Sequence, residues 1–315
     1  MKKIALLSMT ALMMAAVPAA AVSAGDLTFT TGGDQGTYYG FGSVLAGEVS
    51  GDTDTSVTAI TSGGSQANID ALEMGDAELG FVQSDVMSYA YEGTNLFDEA
   101  VTDFSTVAAL YMEQVQIVTC DPEIKTVADL EGKNVSIGAP GSGVYFNAVD
   151  ILGAYGLTED DITATYESFG DSAESLQDGK IDAAFITAGA PTTAVTSLGT
   201  SKQVYLVSLD DEHIDALIAE CPYYSKNVIA ADTYGLDEDV NTVAVGAVVI
   251  ARDDVSEEDV YNFVSAIFEH VDEITAAHAK GAELDAEFAA SVTAVPYHPG
   301  AAKYFEEKGL SVEVK

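Results

Sequence analysis

Three times along this chain a β-prone run meets a cluster of glycine and hydroxyl residues, and a helical period follows. The first instance is Thr28-Phe29-Thr30-Thr31-Gly32-Gly33-Asp34-Gln35-Gly36-Thr37-Tyr38-Tyr39-Gly40. Thr28 to Thr31 are β-branched or aromatic and suit a strand. Gly32, Gly33 and Gly36 permit a tight turn and close backbone approach. From Thr37 the apolar residues Tyr38, Phe41, Leu45 and Val49 recur every three or four positions, one face of a helix. The second turn is Thr61-Ser62-Gly63-Gly64-Ser65 and the third Ala139-Pro140-Gly141-Ser142-Gly143. Such turns confine the chain to α/β architecture. Each also presents a helix N-terminus, whose free N–H groups attract anions, carboxylates included.

Strand and helix signals alternate through most of the sequence. Strands are expected at 55–60, 77–82, 135–138, 163–169, 181–186, 203–208 and 243–251, with helices between them. Phe104 to Val118 is long and β-rich but interrupted by Glu113 and Gln114, and reads as a strand leaving one domain for another. From Ser256 the chain is mostly amphipathic helix. This alternation implies parallel sheets covered on both faces. One spacing repeats: Leu72, Gly75 and Phe81 are echoed by Leu176, Gly179 and Phe185. Each set reads as a helix end, a glycine and a buried strand, so the chain is expected to hold two similar α/β halves. Ligands of open sheets sit beyond the carboxyl ends of strands, which places the glycine turns of both halves along one cleft.

Met1 to Ala24 reads as a secretory signal peptide: Lys2 and Lys3, an apolar stretch from Ile4 to Ala21, then the small residues Val22-Ser23-Ala24. The protein is therefore expected to be exported, extracytoplasmic and soluble. Its charge is extreme, with 51 acidic against 12 basic side chains and a single arginine, Arg252. Such a surface repels nucleic acid and anionic lipid, so neither is an expected partner. The cysteine pair, Cys120 and Cys221, has two readings in an exported chain: a disulfide, which is favoured, or two buried free thiols.

Catalytic signatures are absent. Neither Gly63-Gly64-Ser65-Gln66-Ala67 nor Pro140-Gly141-Ser142-Gly143-Val144 fits a nucleophile elbow. There is no phosphate-binding P-loop, and His213, His270, His278 and His298 have no metal-ligand spacing to one another. No metal or cofactor is expected. What remains suits reversible capture of a small polar or anionic solute. Backbone N–H groups near Gly36, Thr37 and Tyr38, and near Ser142 and Gly143, would hold a carboxylate. Gly64 with Ser65, Asn68, Gln83, Ser84 and Thr187 would read the rest, and Gly189 and Pro191 close the same strand end. Tyr38, Tyr39 and Tyr145 either cover the aliphatic part of the ligand or pack in the core.

Several motifs, in order, resemble the TAXI branch of TRAP (tripartite ATP-independent periplasmic) transporter solute-binding proteins. They are Gly36-Thr37-Tyr38-Tyr39; Ser62-Gly63-Gly64-Ser65 with Asn68; the run from Gly75 to Ser84; Gly138 to Gly143; and Pro296-Tyr297-His298-Pro299-Gly300-Ala301 with Tyr304, Glu307, Lys308 and Gly309. The resemblance implies a periplasmic binding protein of type II fold, with two doubly wound α/β domains hinged around a ligand cleft. Residues 25–115 and 236–315 would form domain I and residues 116–235 domain II. The crossings would fall at Glu113 to Val118 and before Val243. It also implies a monomer that takes a small carboxylate, such as glutamate, glutamine or a related organic acid, to membrane permease subunits. The His298-Pro299-Gly300 motif would be structural. Two readings from other classes stay open: a binding component feeding a sensor or chemoreceptor, and a secreted α/β hydrolase.

Overall fold

The computed structural model describes residues 25–315; the expected signal segment, Met1 to Ala24, lies outside the described residues. In chain order the elements are β1 (Asp26–Thr30), α1 (Thr37–Asp52), β2 (Ser56–Ile60), α2 (Ser65–Met74), β3 (Leu79–Gln83), α3 (Ser84–Glu92) and β4 (Phe104–Thr119). Then come β5 (Asn134–Ser136), α4 (Val144–Ala154), β6 (Thr163–Thr165), α5 (Phe169–Asp178), β7 (Ala183–Ala188), α6 (Thr193–Gly199) and β8 (Tyr205–Leu206). The chain ends with α7 (Asp211–Glu220), β9 (Ser225–Ile229), β10 (Val240–Arg252), α8 (Glu257–Glu269), α9 (Val271–Ala277), α10 (Ala286–Ala289) and α11 (Pro299–Glu307).

Local signals account for many boundaries. α1 begins at Thr37, where the apolar period starts. α2 and α5 stop at Gly75 and Gly179, both left-handed, φ 77° and 70°, a conformation that glycine adopts without strain. These are the two glycines of the repeated spacing. Two boundaries differ from expectation. The strand expected over 163–169 ends at Thr165, and Phe169 opens α5. The cap of that helix is Ser168, whose hydroxyl accepts from the Asp171 N–H.

The strands form one sheet of ten in the order β2-β1-β3-β10-β4-β7-β5-β6, with β8 on β4 and β9 on β10. β1 with β2 and β3, and β5 with β6 and β7, are parallel, but β4 and β10 run antiparallel to each other and to their outer neighbours. The expected all-parallel sheets are thus mixed ones, because two long strands pass between the halves. Glu113 and Gln114 do not interrupt β4; they pair with Val245 and Ala244 of β10.

Those strands serve two cores. Tyr111 of β4 packs with Phe29, Phe41, Phe81, Phe263 and Phe305, whereas Val115 and Ile117 pack with Val135, Ile151 and Phe185. On β10 the switch comes later than expected: Val243 and Val245 lie in the second core, Ala247 and Val249 in the first. Fully burying one such phenylalanine contributes about 1.5–3 kcal/mol, so each lobe has its own stabilising centre. The tail motif closes the first lobe. His298, buried, caps α11 by accepting from the Gly300 N–H at 3.2 Å, and its other ring nitrogen meets the Val255 carbonyl at 3.1 Å.

The expected Cys120–Cys221 disulfide is not formed; both thiols are free and half-buried. Cys120 follows β4 and packs beside Leu176 and Val195, while Cys221 ends α7 against the Val135–Ile151 core. Burial pushes both thiols above their usual pKa.

Candidate functional site

Between the lobes lies a cleft of about 700 Å³, counting its mouth open to solvent. It is bounded by the loops 32–38, 62–65 and 139–144, by Ser168, Phe169 and Gly170, and by the strand residues Gln83, Glu113, Thr187 and Ala188. All three glycine turns of the sequence therefore meet there. The helices they open, α1, α2 and α4, have Gly36, Gly64 and Gly143 as N-caps, and no side chain caps any of them. Of the other helices, α5, α7, α8, α10 and α11 are capped by Ser168, Asp210, Ser256, Asp285 and His298, while α3, α6 and α9 have no side-chain cap. The first N–H groups of a helix have no intrahelical partner, so uncapped glycine termini leave donors open to a ligand. The donors begin one residue later than expected at two sites. The Gly36 N–H bonds the Gly33 carbonyl at 3.2 Å, and the Ser142 N–H bonds the Ala139 carbonyl at 3.0 Å.

Of the residues singled out from sequence, Gly36, Thr37, Tyr38, Gly64, Ser65, Gln83, Ser142, Gly143 and Thr187 line the cleft. The others do not. Asn68 is fully buried and its amide donates to the Thr31 and Phe81 carbonyls, at 2.7 and 2.6 Å, stitching α2 to the sheet. Ser84 receives the Gly246 N–H. Tyr145 donates to Glu159 at 2.6 Å, a bond that, with burial, pushes its pKa up to about 12. Gly189 accepts from the Thr37 hydroxyl at 3.2 Å. Tyr39 is half-buried and Pro191 exposed, both away from the lining.

The most consequential residue that sequence reasoning passed over is Glu113. Along β4 side chains alternate faces, so Tyr111, Glu113 and Val115 share one face. Tyr111 belongs to the first core and Val115 to the second. Glu113 falls at the gap between them, in the cleft, only 2% exposed. Neither its Oε1 nor the adjacent Tyr38 hydroxyl makes a well-formed hydrogen bond, although the two groups lie close enough to act on each other. Burial holds the Glu113 carboxyl well above the usual carboxylate range, opposed by Tyr38 and by the charge of Lys280 and reinforced by Asp85. Phe169 also lines the cleft unforeseen, whereas Gly33 and Ser62 belong to the turns expected there. The signal for Glu113 was a lone acid inside a long apolar β-run.

Among the described residues no lysine or arginine lines the cleft. Arg252 is engaged elsewhere by Asp254, Glu78 and the Ala77 carbonyl. Buried Lys280 pairs with Glu283 at 2.5 Å and lies 5.1 Å over the Tyr111 ring.

Asn147 of α4 joins the lobes behind the cleft. Its Oδ1 accepts from Gln83 Nε2 at 2.6 Å and Thr187 Oγ1 at 2.8 Å; its Nδ2 donates to Asp85 Oδ2 at 2.7 Å and the Tyr224 hydroxyl at 2.8 Å. The Ala67 N–H bonds the Gly141 carbonyl at 3.0 Å, and the Ala194 N–H the Gln35 carbonyl at 3.2 Å. The lobes are thus drawn together.

Histidine spacing hid one grouping. His270 Nδ1 lies 2.7 Å from Asp52 and 3.3 Å from Glu48, at the far end of α1 from the cleft, where these side chains tie that helix to the α8–α9 junction.

Two α/β lobes, two strand crossings and a polar cleft between the lobes make up the type II periplasmic binding fold. The chain belongs to the NMT1-like family, whose model matches residues 29–309. Similar solved structures agree on the fold. MatC from Rhodopseudomonas palustris, with bound malate, aligns with TM-score 0.55 at 15% identity over 82% of this chain and 89% of that one. A Bordetella bronchiseptica protein aligns with TM-score 0.53 at 18% identity, over 89% and 88%. The alkanesulfonate-binding protein SsuA from Xanthomonas axonopodis pv. citri, bound to MOPS, gives 0.51 at 15% identity, over 91% and 92%.

Proposed function

We propose that this protein is the extracytoplasmic receptor of a TRAP-type transporter, capturing a small carboxylate in the cleft and handing it to membrane permease subunits. The observation that carries the reading is the convergence of three glycine-capped helix N-termini on a cavity without basic side chains. Peptide donors of this kind hold an anion by fixed partial charge, without a guanidinium clamp. Malate in the MatC cleft is a small carboxylate held by the same fold. The motifs shared with the TAXI branch favour the TRAP assignment. The hinge would be the pair β4 and β10, flexing between Tyr111 and Val115 and between Val245 and Ala247. The lobes, broadly 25–115 with 236–315 and 116–235, would close on ligand as a monomer.

Among the described residues no histidine or cysteine lines the cleft beside its hydroxyls, which favours binding over turnover. A thermal-shift screen over small carboxylates tests the reading, since a ligand bound only by the folded state raises the melting temperature by mass action. A hit abolished by blocking the cleft supports it; an inert response to amino, oxo and dicarboxylic acids alike overturns it.

A further inference from the structure

The donor-rich termini explain where a negative group goes. They do not explain Glu113. A buried carboxyl with an unpartnered oxygen is costly, and a second acid in an anion-binding cleft is repulsive. Both costs disappear if the ligand also carries a cation. We propose that Glu113 is the specificity-determining group of the cleft, accepting the ammonium of an α-amino acid whose carboxylate rests on the glycine-capped helix ends. This deepens the carboxylate reading above and rests on it.

The geometry is one-sided in a telling way. Apart from Glu113, the polar groups around the cavity are chiefly donors or hydroxyls: the helix-start amides, Ser65, Ser142 with its unpartnered Oγ, Thr187 and the unpartnered Tyr38 hydroxyl. The other acid on the wall, Asp34, is exposed. A second acceptor on the ligand would find donors in plenty, but a buried ammonium would find one buried carboxyl, Glu113, with only neutral acceptors such as the Gln83 carboxamide oxygen beside it. The groups that act on Glu113 leave room for this role. Tyr38 stands beside it on α1, and Tyr111 precedes it on its own face of β4. Asp85 adds negative potential from α3. Lys280, the one cation that acts on it, is engaged by Glu283. Glu113 therefore lacks a dedicated counter-charge, and a ligand ammonium supplies it. Tyr38, stacked on Phe81 at 4.5 Å, and Phe169 across the cleft flank the position with aromatic surface.

A 2-oxo acid has the carboxylate but lacks the amine, which makes it the discriminating probe. The full mature chain is titrated calorimetrically with L-amino acids and with their 2-oxo counterparts, the L-glutamate and 2-oxoglutarate pair first and the L-leucine and 4-methyl-2-oxopentanoate pair next. The expected result is an amino acid bound at least about tenfold more tightly than its oxo acid. Binding should also release protons, read from the heat in buffers of different ionisation enthalpy, because burial raises the Glu113 pKa in the empty cleft and a ligand ammonium lowers it. In Glu113→Gln, a change of similar shape, both the preference and the release should vanish. Oxo acids bound as tightly as amino acids by the unaltered protein, or a preference that survives in Glu113→Gln, would overturn the inference while leaving the carboxylate reading intact. Failure of both classes to bind would overturn the carboxylate reading itself. The comparison of ligands on the unaltered chain stands even if the variant does not fold.

Discussion

Gln83 of the first lobe and Gly143 of the second approach so closely that there is no room between them for a methyl group. A Cβ on Gly143 would overlap the Gln83 carboxamide, 2.5 Å from its Cδ, and sit 2.8 Å from the Ser65 Oγ. Gly143 has φ −71°, which any residue adopts, so the glycine is required by the closed interface and not by its own backbone.

Gly143→Ala should therefore fold and resist closing. Overpacking of this kind costs about 1–3 kcal/mol, which corresponds to roughly five- to 150-fold weaker ligand binding. Calorimetry on whichever carboxylate binds, with circular dichroism to confirm the fold, checks it; unchanged affinity would show that the lobes need not meet here.

The limits of sequence reasoning follow from the same contact. Local signals are strong where a single residue forces the backbone, as Gly75 and Gly179 do at helix ends, and where the apolar period begins, as at Thr37. They placed the three glycine turns correctly, and in two of them a glycine holds a positive φ that the turn requires, Gly64 at 113° and Gly141 at 78°. Glu113 was invisible in its role, because a charge in an apolar run reads locally as an interruption. Only the pairing with Val245, and the hand-over from one core to the other, shows that β4 continues through it. Asn68 misled in the opposite sense: a polar side chain near a turn looks available until the two carbonyls it satisfies are seen. The sharing of Asn147 by Gln83, Thr187, Asp85 and Tyr224 joins positions up to 77 residues apart, which no local pattern encodes.

Asp85 should make the closed lobes sensitive to pH. It is fully buried with Oδ1 unpartnered, and burial with the nearby Asp150 charge raises its pKa to about 7. The unfolded value is about 3.9. Between these limits the folded protein keeps a proton that the unfolded chain has lost, so stability falls as pH rises from about 4 through about 7 and the effect levels off above that. The slope from this group approaches about 1.4 kcal/mol per pH unit at most. Asp85→Asn can still accept from Asn147 Nδ2 and should flatten that decline. Urea denaturation of both proteins at pH 4.5, 6 and 7.5 checks it: the variant's advantage should grow with pH, and a constant difference would show that Asp85 does not titrate in this window.

Two free thiols give a further test. A bridge between Cys120 and Cys221 would close a loop of roughly 100 residues, worth up to about 4.7 kcal/mol on the chain-entropy model. With both thiols free, reductant should leave the melting temperature unchanged. Denatured, unreduced protein should titrate two thiols per chain with a chromogenic disulfide reagent, and the folded protein should react more slowly because burial raises both pKa values. No titratable thiol, with a melting point lowered by reductant, would restore the bridge.

The acidic surface carries the last expectation. The full sequence has a formal net charge of −39 at pH 7, and its basic side chains are few and largely engaged, Lys226 with Asp211 and Asp215, Lys308 with Glu269, Lys315 with Asp253. Exposed pairs of this kind contribute little each, about 0–1 kcal/mol, whereas uncompensated carboxylates repel one another over the whole surface. Salt at 0.1 M shortens the reach of that repulsion to about 10 Å, and at 1 M to about 3 Å. Compaction concentrates the charges, so screening relieves the folded state more than the expanded one. The melting temperature should therefore rise by several degrees between 10 mM and 1 M NaCl. Sodium sulfate also strengthens apolar burial, so the comparison should use chloride at fixed pH. A melting temperature that stays flat or falls across that range would mean that the carboxylates are spaced widely enough for water alone to shield them.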